Sequence, residues 1–305
     1  MKMSDKETFK QELDARTAEI EQLIGTYLPE ETGHQKTIFE AMNYSMKAGG
    51  KRLRPMLMQE MCRLFTGTLL EAVIPFMAAV EMIHTSSLVH DDLPCMDDDM
   101  MRRGKASTWA EYGEDIGVLT GDALMMYAFE TAANAFETSI DPDELSRIGR
   151  AMGILARKTG VYGMIGGQTV DVELAGGPIP GDKLEFIYRL KTGALIEASM
   201  LIGAVLGGAA EEDCKIVESL AAKIGMAFQI QDDILDVTST EEELGKPIHS
   251  DEKNQKQIYV TLRGLEGAAK DEERISEEAL ELLDTFPQKN EFLRELIGYL
   301  VNRRN

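Results

Sequence analysis

The chain has 305 residues, enough for one large core or two modest ones, and its 44% hydrophobic content points to a globular rather than a disordered protein. Leu, Ala, Met and Ile outweigh Val, Tyr and Phe, which favours helix over sheet. A formal net charge of −21 argues against a binder of nucleic acid or of anionic membranes, so any phosphate site must be a local basic island.

Ser4 with Glu7 reads as a capping box, and Phe9, Leu13, Ile20, Leu23 and Ile24 make a helical stripe that ends before Pro29. A second helix over 35–48 is expected to stop at Gly49-Gly50, where glycine tolerates the left-handed conformation of a helix end. Helices then recur over 54–64, 71–93, 115–136, 142–159, 182–206 and 211–237, with several shorter ones to Arg303. Breakers fall between them at Asp141-Pro142, at residues 176–181, at Lys246-Pro247 and at Phe286-Pro287. Nothing alternates like a strand for long, no linker is low in complexity, and no fixed period repeats. The expectation is one all-α domain over residues 1–305.

The remaining bulk features are quiet. Cys62, Cys95 and Cys214 lie far apart and outside CxxC spacing, which suits reduced thiols. The first seven residues lack an apolar leader core, and the uncharged stretch 198–210 is too short and Gly-rich to span a bilayer, so no membrane span and a cytoplasmic location are expected. The acidic runs at 241–243 and 271–274 are solvated helix faces, Ser239 with Glu242 being a second capping box.

Two aspartate clusters stand out: Asp91-Asp92-Leu93-Pro94-Cys95-Met96-Asp97 and Asp232-Asp233-Ile234-Leu235-Asp236. Each ends an apolar helix, where unpaired carboxylates are costly unless something cationic meets them. In the second, Asp232 and Asp236 share one helix face with no Lys or Arg within a turn. Mg²⁺ would relieve that repulsion while keeping positions open for phosphate oxygens. In the first, six residues of regular helix would turn Asp97 away from Asp91, and Pro94 is expected to end or bulge the helix so that Asp97 comes back. Alone, either cluster reads as an acidic surface turn; two on apolar helices do not.

Base surrounds the acid. Lys51 and Arg54 sit at a helix start that already favours an anion, Arg102-Arg103-Gly104-Lys105 follows the first cluster, Lys191-Thr192-Gly193 interrupts a helix, and Gly245-Lys246 with Lys256 follows the second cluster. Alternating carboxylates with Arg and Lys is what a metal-bridged diphosphate needs. Glu81 and His84 form an ExxH, but a di-iron site needs a second one, which His34, His90 and His249 do not supply. His84 is read instead as a phosphate donor or a core histidine.

In order, Gly50-Lys51-Arg52-Leu53-Arg54-Pro55, His84, the first aspartate cluster, Arg102-Arg103-Gly104-Lys105, Gly121-Asp122, Gly167-Gln168, Lys191-Thr192-Gly193, the segment Phe228 to Asp236, Gly245-Lys246 and the tail Tyr299 to Arg303 resemble a trans-isoprenyl diphosphate synthase of the bacterial farnesyl and geranylgeranyl type. The resemblance implies a homodimer of all-helical isoprenoid-synthase bundles, each around a central apolar cavity with the aspartate clusters on opposite walls. It implies three Mg²⁺, replaceable by Mn²⁺, with Asp91, Asp97 and Asp232 as direct ligands and Asp92, Asp233 and Asp236 as ligands or their supports. It assigns Arg102, Lys191, Thr192, Gln229, Lys246 and Lys256 to an allylic diphosphate and Lys51, Arg54, His84 and Arg103 to isopentenyl diphosphate. Lys191, Thr192 and Gln229 would also stabilise the allylic cation.

Product length would depend on the floor of the cavity, set in this family by the fifth residue before the first aspartate. That residue is Ser86, beside Ser87. A small floor permits C20, but Met125 and Met126 on a neighbouring helix are candidates to refill the space, and the overall likeness leans to C15, farnesyl diphosphate. The sequence departs from the family pattern at Ile258, where Thr is usual, and at Ala106, where Pro is usual. A class I terpene cyclase and a non-catalytic subunit are the competing classes. The first would not need Lys51, Arg54 and His84; the second typically loses aspartates that are all present here.

Overall fold

The computed structural model describes residues 3–177, 179–238 and 258–301. The Ser4 cap, the Ser239 cap, Gly245-Lys246-Pro247, His249, Lys256 and the end of the tail at Arg303 lie outside the described residues or side chains. The all-α expectation holds, and the fold forms two compact units, Met1–Gln59 with Leu69–Met152 and Glu60–Thr68 with Gly153–Asn305.

The first unit holds α1 (Met3–Gly25), α2 (Lys36–Met46), the start of α3 (Leu53–Thr66), α4 (Val73–Asp91), α5 (Thr108–Tyr112), α6 (Glu114–Ala133), a 3-10 turn (Asn134–Glu137) and the start of α7 (Pro142–Thr159). Helix α4 is apolar on every side and therefore becomes the core, packed by α1, α2 and α6. Its 19 residues are long and apolar enough to cross a bilayer, yet most of them are buried inside this unit. Ser86, fully buried on α4, donates its hydroxyl to the Gly121 carbonyl of α6 at 2.9 Å. Gly121 makes room there for the His90 ring, which would have to move for a Cβ that falls 2.1 Å from it.

A strand pair unforeseen in the sequence follows α4: β1 (Met101–Arg102) and β2 (Lys105–Ala106), antiparallel. Arg103 and Gly104 both have positive φ, 53° and 77°, the backbone of a primed two-residue turn. Two residues per strand are too few to show alternation.

The second unit holds α8 (Met164–Glu173), α9 (Gly181–Ile187), a π-helical turn (Tyr188–Gly193), α10 (Ala194–Leu206), α11 (Glu211–Thr238), α12 (Tyr259–Asp284) and α13 (Glu291–Val301). Helix α10 is buried along its whole length, and α11 packs on α10, α12 and α13. Three expectations change here. The single helix over 182–206 breaks at the π turn; α8 was missed because Gly163, Gly166 and Gly167 mask it; and α12 is one long helix kinked at Gly264 rather than several short ones. The backbones of α8 and α11 come close against the π turn at Gly167 and Gly225, where a Cβ would lie 2.3 Å from Lys191 N and 2.8 Å from Gly193 Cα.

Candidate active site

The end of α4 behaves as Pro94 demands. Asp97 donates its N–H to the Asp91 carbonyl at 2.9 Å, Asp98 to that of Leu93 at 3.1 Å and Asp99 to that of Asp92 at 3.1 Å, so the chain folds back over the helix end. Asp91 and Asp97 thereby belong to one turn, the first half-buried and the second exposed. Asp92 is buried and held by the Arg102 guanidinium, which donates Nε at 2.9 Å and Nη2 to the same oxygen, with Asp99 3.2 Å from Nη2. Burial pushes the Asp92 carboxyl upward, opposed by its bonds to Arg102.

Beside this turn lies the basic island. Gly50 has φ 140° and no room for a Cβ, which would sit 2.7 Å from Arg103 Nη1, and Arg103 donates to the Gly49 carbonyl. Arg52, absent from the expected ligand set, is buried, donates to Glu81 at 2.7 Å and to the Met46 carbonyl at 2.6 Å, and so fixes the loop that leads into α3. Glu81 is therefore an arginine counter-ion, which closes the di-iron alternative. Arg54 is half-buried on the first turn of α3, with its Nε buried and lacking a hydrogen-bond partner, and Lys51 is exposed just before it.

His84 faces this island from α4. Burial first, and then the charges of Arg54, Arg103, Arg52 and Arg102, hold its pKa well below the ordinary 6.5. It is neutral near pH 7 and carries a hydrogen bond rather than a charge to any anion. The sign of its linkage is fixed: the unfolded chain takes up a proton below about pH 6.5 while the folded chain refuses it, so the stability due to this site is complete above that pH. It then falls with pH until the folded pKa is passed. The melting temperature is expected to decline between about pH 6.5 and 5, and His84→Asn to flatten that part of the profile; an unchanged profile in the variant would show that His84 does not carry the effect.

In the second unit the π turn meets α8 and α11. Lys191 Nζ lies 2.6 Å from Asp171 of α8, and Thr192 donates its hydroxyl to Gln229 Oε1 of α11 at 2.9 Å. These residues, with Tyr188, Asp233, Ile179, Leu184, Ile187 and Ile258, line a cavity of about 110 Å³. Asp233 and Asp236 are buried and Asp232 is half-buried. Asp171 and Tyr188 escaped the sequence reading, although Asp171 lies one helical turn beyond the noted Gly167-Gln168 pair.

Among the described residues no three carboxylates, histidines or cysteines gather closely enough to cage an ion. In the first cluster Asp91 and Asp97 reach the surface while Asp92 is committed to Arg102, and in the second Asp232 is half-buried while Asp233 and Asp236 are buried. These carboxylates fit Mg²⁺, which keeps its waters and takes one or two carboxylates together with phosphate oxygens.

An acidic turn beside a cluster of arginines, on an all-helical scaffold, suits the binding of a metal-bridged phosphate group. Residues 35–299 match the polyprenyl synthetase family model, and the chain belongs to that family. A geranylgeranyl diphosphate synthase from Cyanophora paradoxa is 42% identical over 287 residues, covering 94% of this chain and 93% of that protein. Among solved structures, a farnesyl/geranylfarnesyl diphosphate synthase from Zymomonas mobilis superposes with a TM-score of 0.84 at 32% identity, over 96% and 99% of the two chains. A geranyltransferase from Helicobacter pylori, complexed with magnesium and isoprenyl diphosphate, gives 0.79 at 31%, over 96% of each.

Proposed function

We propose that the protein condenses isopentenyl diphosphate with allylic diphosphates and carries the chain to C20, geranylgeranyl diphosphate. The observation that carries the two-diphosphate chemistry is the ring of Arg52, Arg54, Arg102 and Arg103 about a neutral His84. A cyclase, which holds one diphosphate, has no use for it. Lys51, Arg54, His84 and Arg103 would hold isopentenyl diphosphate, and Arg102, Lys191, Thr192 and Gln229 the allylic diphosphate, with Lys246 and Lys256 beside them by family resemblance. Asp91, Asp97 and Asp232 would hold Mg²⁺, with Asp92, Asp233 and Asp236 in support. The resemblance also supports three such ions, Mn²⁺ as a substitute, a homodimer and a cytoplasmic location.

Bound Mg²⁺ supplies positive charge to the leaving diphosphate as the C1–O bond ionises. The chain's residues do the rest. Lys191 trades Asp171 for a diphosphate oxygen, and Gln229, fixed by Thr192, presents its amide dipole to the allylic cation. The alkene of isopentenyl diphosphate then attacks C1, and the departed diphosphate takes the proton lost from the new cation.

The C15 expectation gives way to C20 for two reasons. The Cyanophora paradoxa relative bears the C20 name. Met126 is 69% exposed on α6, so of the two methionines expected to refill the space beside the fully buried Ser86 only the half-buried Met125 remains a candidate, while Ser87 turns its hydroxyl back to the His84 carbonyl at 2.8 Å. Purified protein with Mg²⁺, dimethylallyl diphosphate and labelled isopentenyl diphosphate should yield geranylgeraniol after dephosphorylation. Farnesol as the main product would reverse the assignment, and hydrocarbon from farnesyl diphosphate alone would make the protein a cyclase. Ser86→Tyr should shorten the main product by one isoprene unit while leaving the KM for isopentenyl diphosphate unchanged; an unaltered product would move the floor elsewhere.

A further inference from the structure

Asp233, 2% exposed on α11, is where three elements meet. Tyr188, the first residue of the π turn, donates its hydroxyl to Asp233 Oδ2, and Tyr259, the first residue of α12, donates its N–H to the same oxygen at 2.8 Å. Gln229 Nε2 lies 3.4 Å from Oδ1, and Thr192 donates to Gln229 Oε1 at 2.9 Å. Because Tyr188 and Thr192 belong to the same π turn, these bonds close a ring: Tyr188 to Asp233, Asp233 to Gln229, Gln229 to Thr192, and back through the backbone.

We propose that Tyr188 is a positioning residue for prenyl transfer, acting through Asp233 to lock the second aspartate cluster against the Lys191-Thr192 turn and so set how tightly metal and allylic diphosphate are held together. This rests on the synthase reading above. A carboxylate buried to this degree needs donors to offset its lost hydration, and two donors on one oxygen fix the plane of the group. The Tyr188 ring is itself 6% exposed, in one core cluster with Ile187, Ile230, Tyr259 and Ala268, and its oxygen also accepts from the Tyr259 N–H at 3.2 Å. Asp232 and Asp236 ride on the same stretch of α11, and Lys191 and Thr192 on the same π turn. The phenolic oxygen thus joins both sets directly, beside the Gln229–Thr192 link, and supports of this kind typically govern metal affinity about 10- to 100-fold.

Tyr188→Phe removes that oxygen and keeps the ring. In the full chain, Mn²⁺ binding followed by EPR, with a non-ionisable allylic thiolodiphosphate present, should weaken about 10-fold. The KM for allylic diphosphate should rise with it, while that for isopentenyl diphosphate stays unchanged. In an Asp233→Asn background the same substitution should cost nothing further, the signature of action through that carboxylate. Unchanged Mn²⁺ affinity, equal losses in both backgrounds, or a fall in melting temperature alone would overturn the inference. Should Tyr188→Phe fail to fold, Tyr259→Pro decides. With Tyr259→Ala as the control that loses the ring and its bond to Asp271 but keeps the N–H, it removes the other donor at the first helical position, where proline is tolerated and Ile258 already has φ −114° and ψ 167°. It must weaken Mn²⁺ binding in the same way, and unchanged binding overturns the inference. A wild-type protein that elongates nothing defeats the synthase reading itself, whereas an active wild type indifferent to Tyr188→Phe defeats only this inference.

Discussion

Asp91→Asn is expected to lower kcat by roughly 10²- to 10³-fold while leaving the fold intact, the scale of losing one preorganised charge contact to a transition state. The substitution is nearly isosteric, and the bond that shapes the turn uses the Asp91 backbone carbonyl, not its carboxylate. What is lost is one of the negative oxygens to which the diphosphate's metal is expected to bind. Asp92→Asn should behave differently. Its carboxylate is buried and shared with Arg102, so the amide leaves the guanidinium with the exposed Asp99 in place of its buried counter-ion and costs stability as well as rate. Melting curves and steady-state kinetics on the two variants separate the cases. If Asp91→Asn melts early and Asp92→Asn does not, the division of labour between the two carboxylates is reversed.

That division marks how far the sequence could be read. The spacing of Asp91 and Asp97 around Pro94 demanded a chain reversal, and the reversal is there in three successive backbone hydrogen bonds. The helix Pro142–Thr159 opens where the Asp141-Pro142 breaker placed its start. What could not be read were partnerships between distant residues. Nothing local to Glu81 announces Arg52, 29 positions away, and nothing near Lys191 announces Asp171 across a π turn. The π turn itself is invisible to periodicity, because its flanks keep a helical apolar pattern and the glycines packed against it lie on two other helices. Gly121, quoted in the sequence as half of a family motif, has a packing task of its own, since it makes room for the His90 ring.

The glycine against the π turn gives the second large effect. Gly167→Ala puts a Cβ 2.3 Å from Lys191 N and 2.8 Å from Leu190 C, and neither atom is the free end of a side chain. Either α8 retreats or the π turn shifts, and overpacking of this kind costs about 1 to 3 kcal/mol, with the upper end expected where backbone meets backbone. The same shift moves Lys191 and Thr192 away from Asp171 and Gln229, and displacing positioning groups by about 1 Å can cost on the order of 10²-fold in rate. Gly149→Ala is the matched control. It lies in the interior of α7 with nothing within 4 Å of the added carbon, so helix propensity alone acts and the variant should be as stable as the parent or more so, by about 0.5 to 1 kcal/mol. Denaturant melts with kcat on both variants test the pair. Loss of stability and rate in Gly167→Ala alone would tie the Lys191-Thr192 geometry to helix contact, whereas wild-type behaviour in Gly167→Ala would mean that the π turn is held by its own sequence and not by its neighbours.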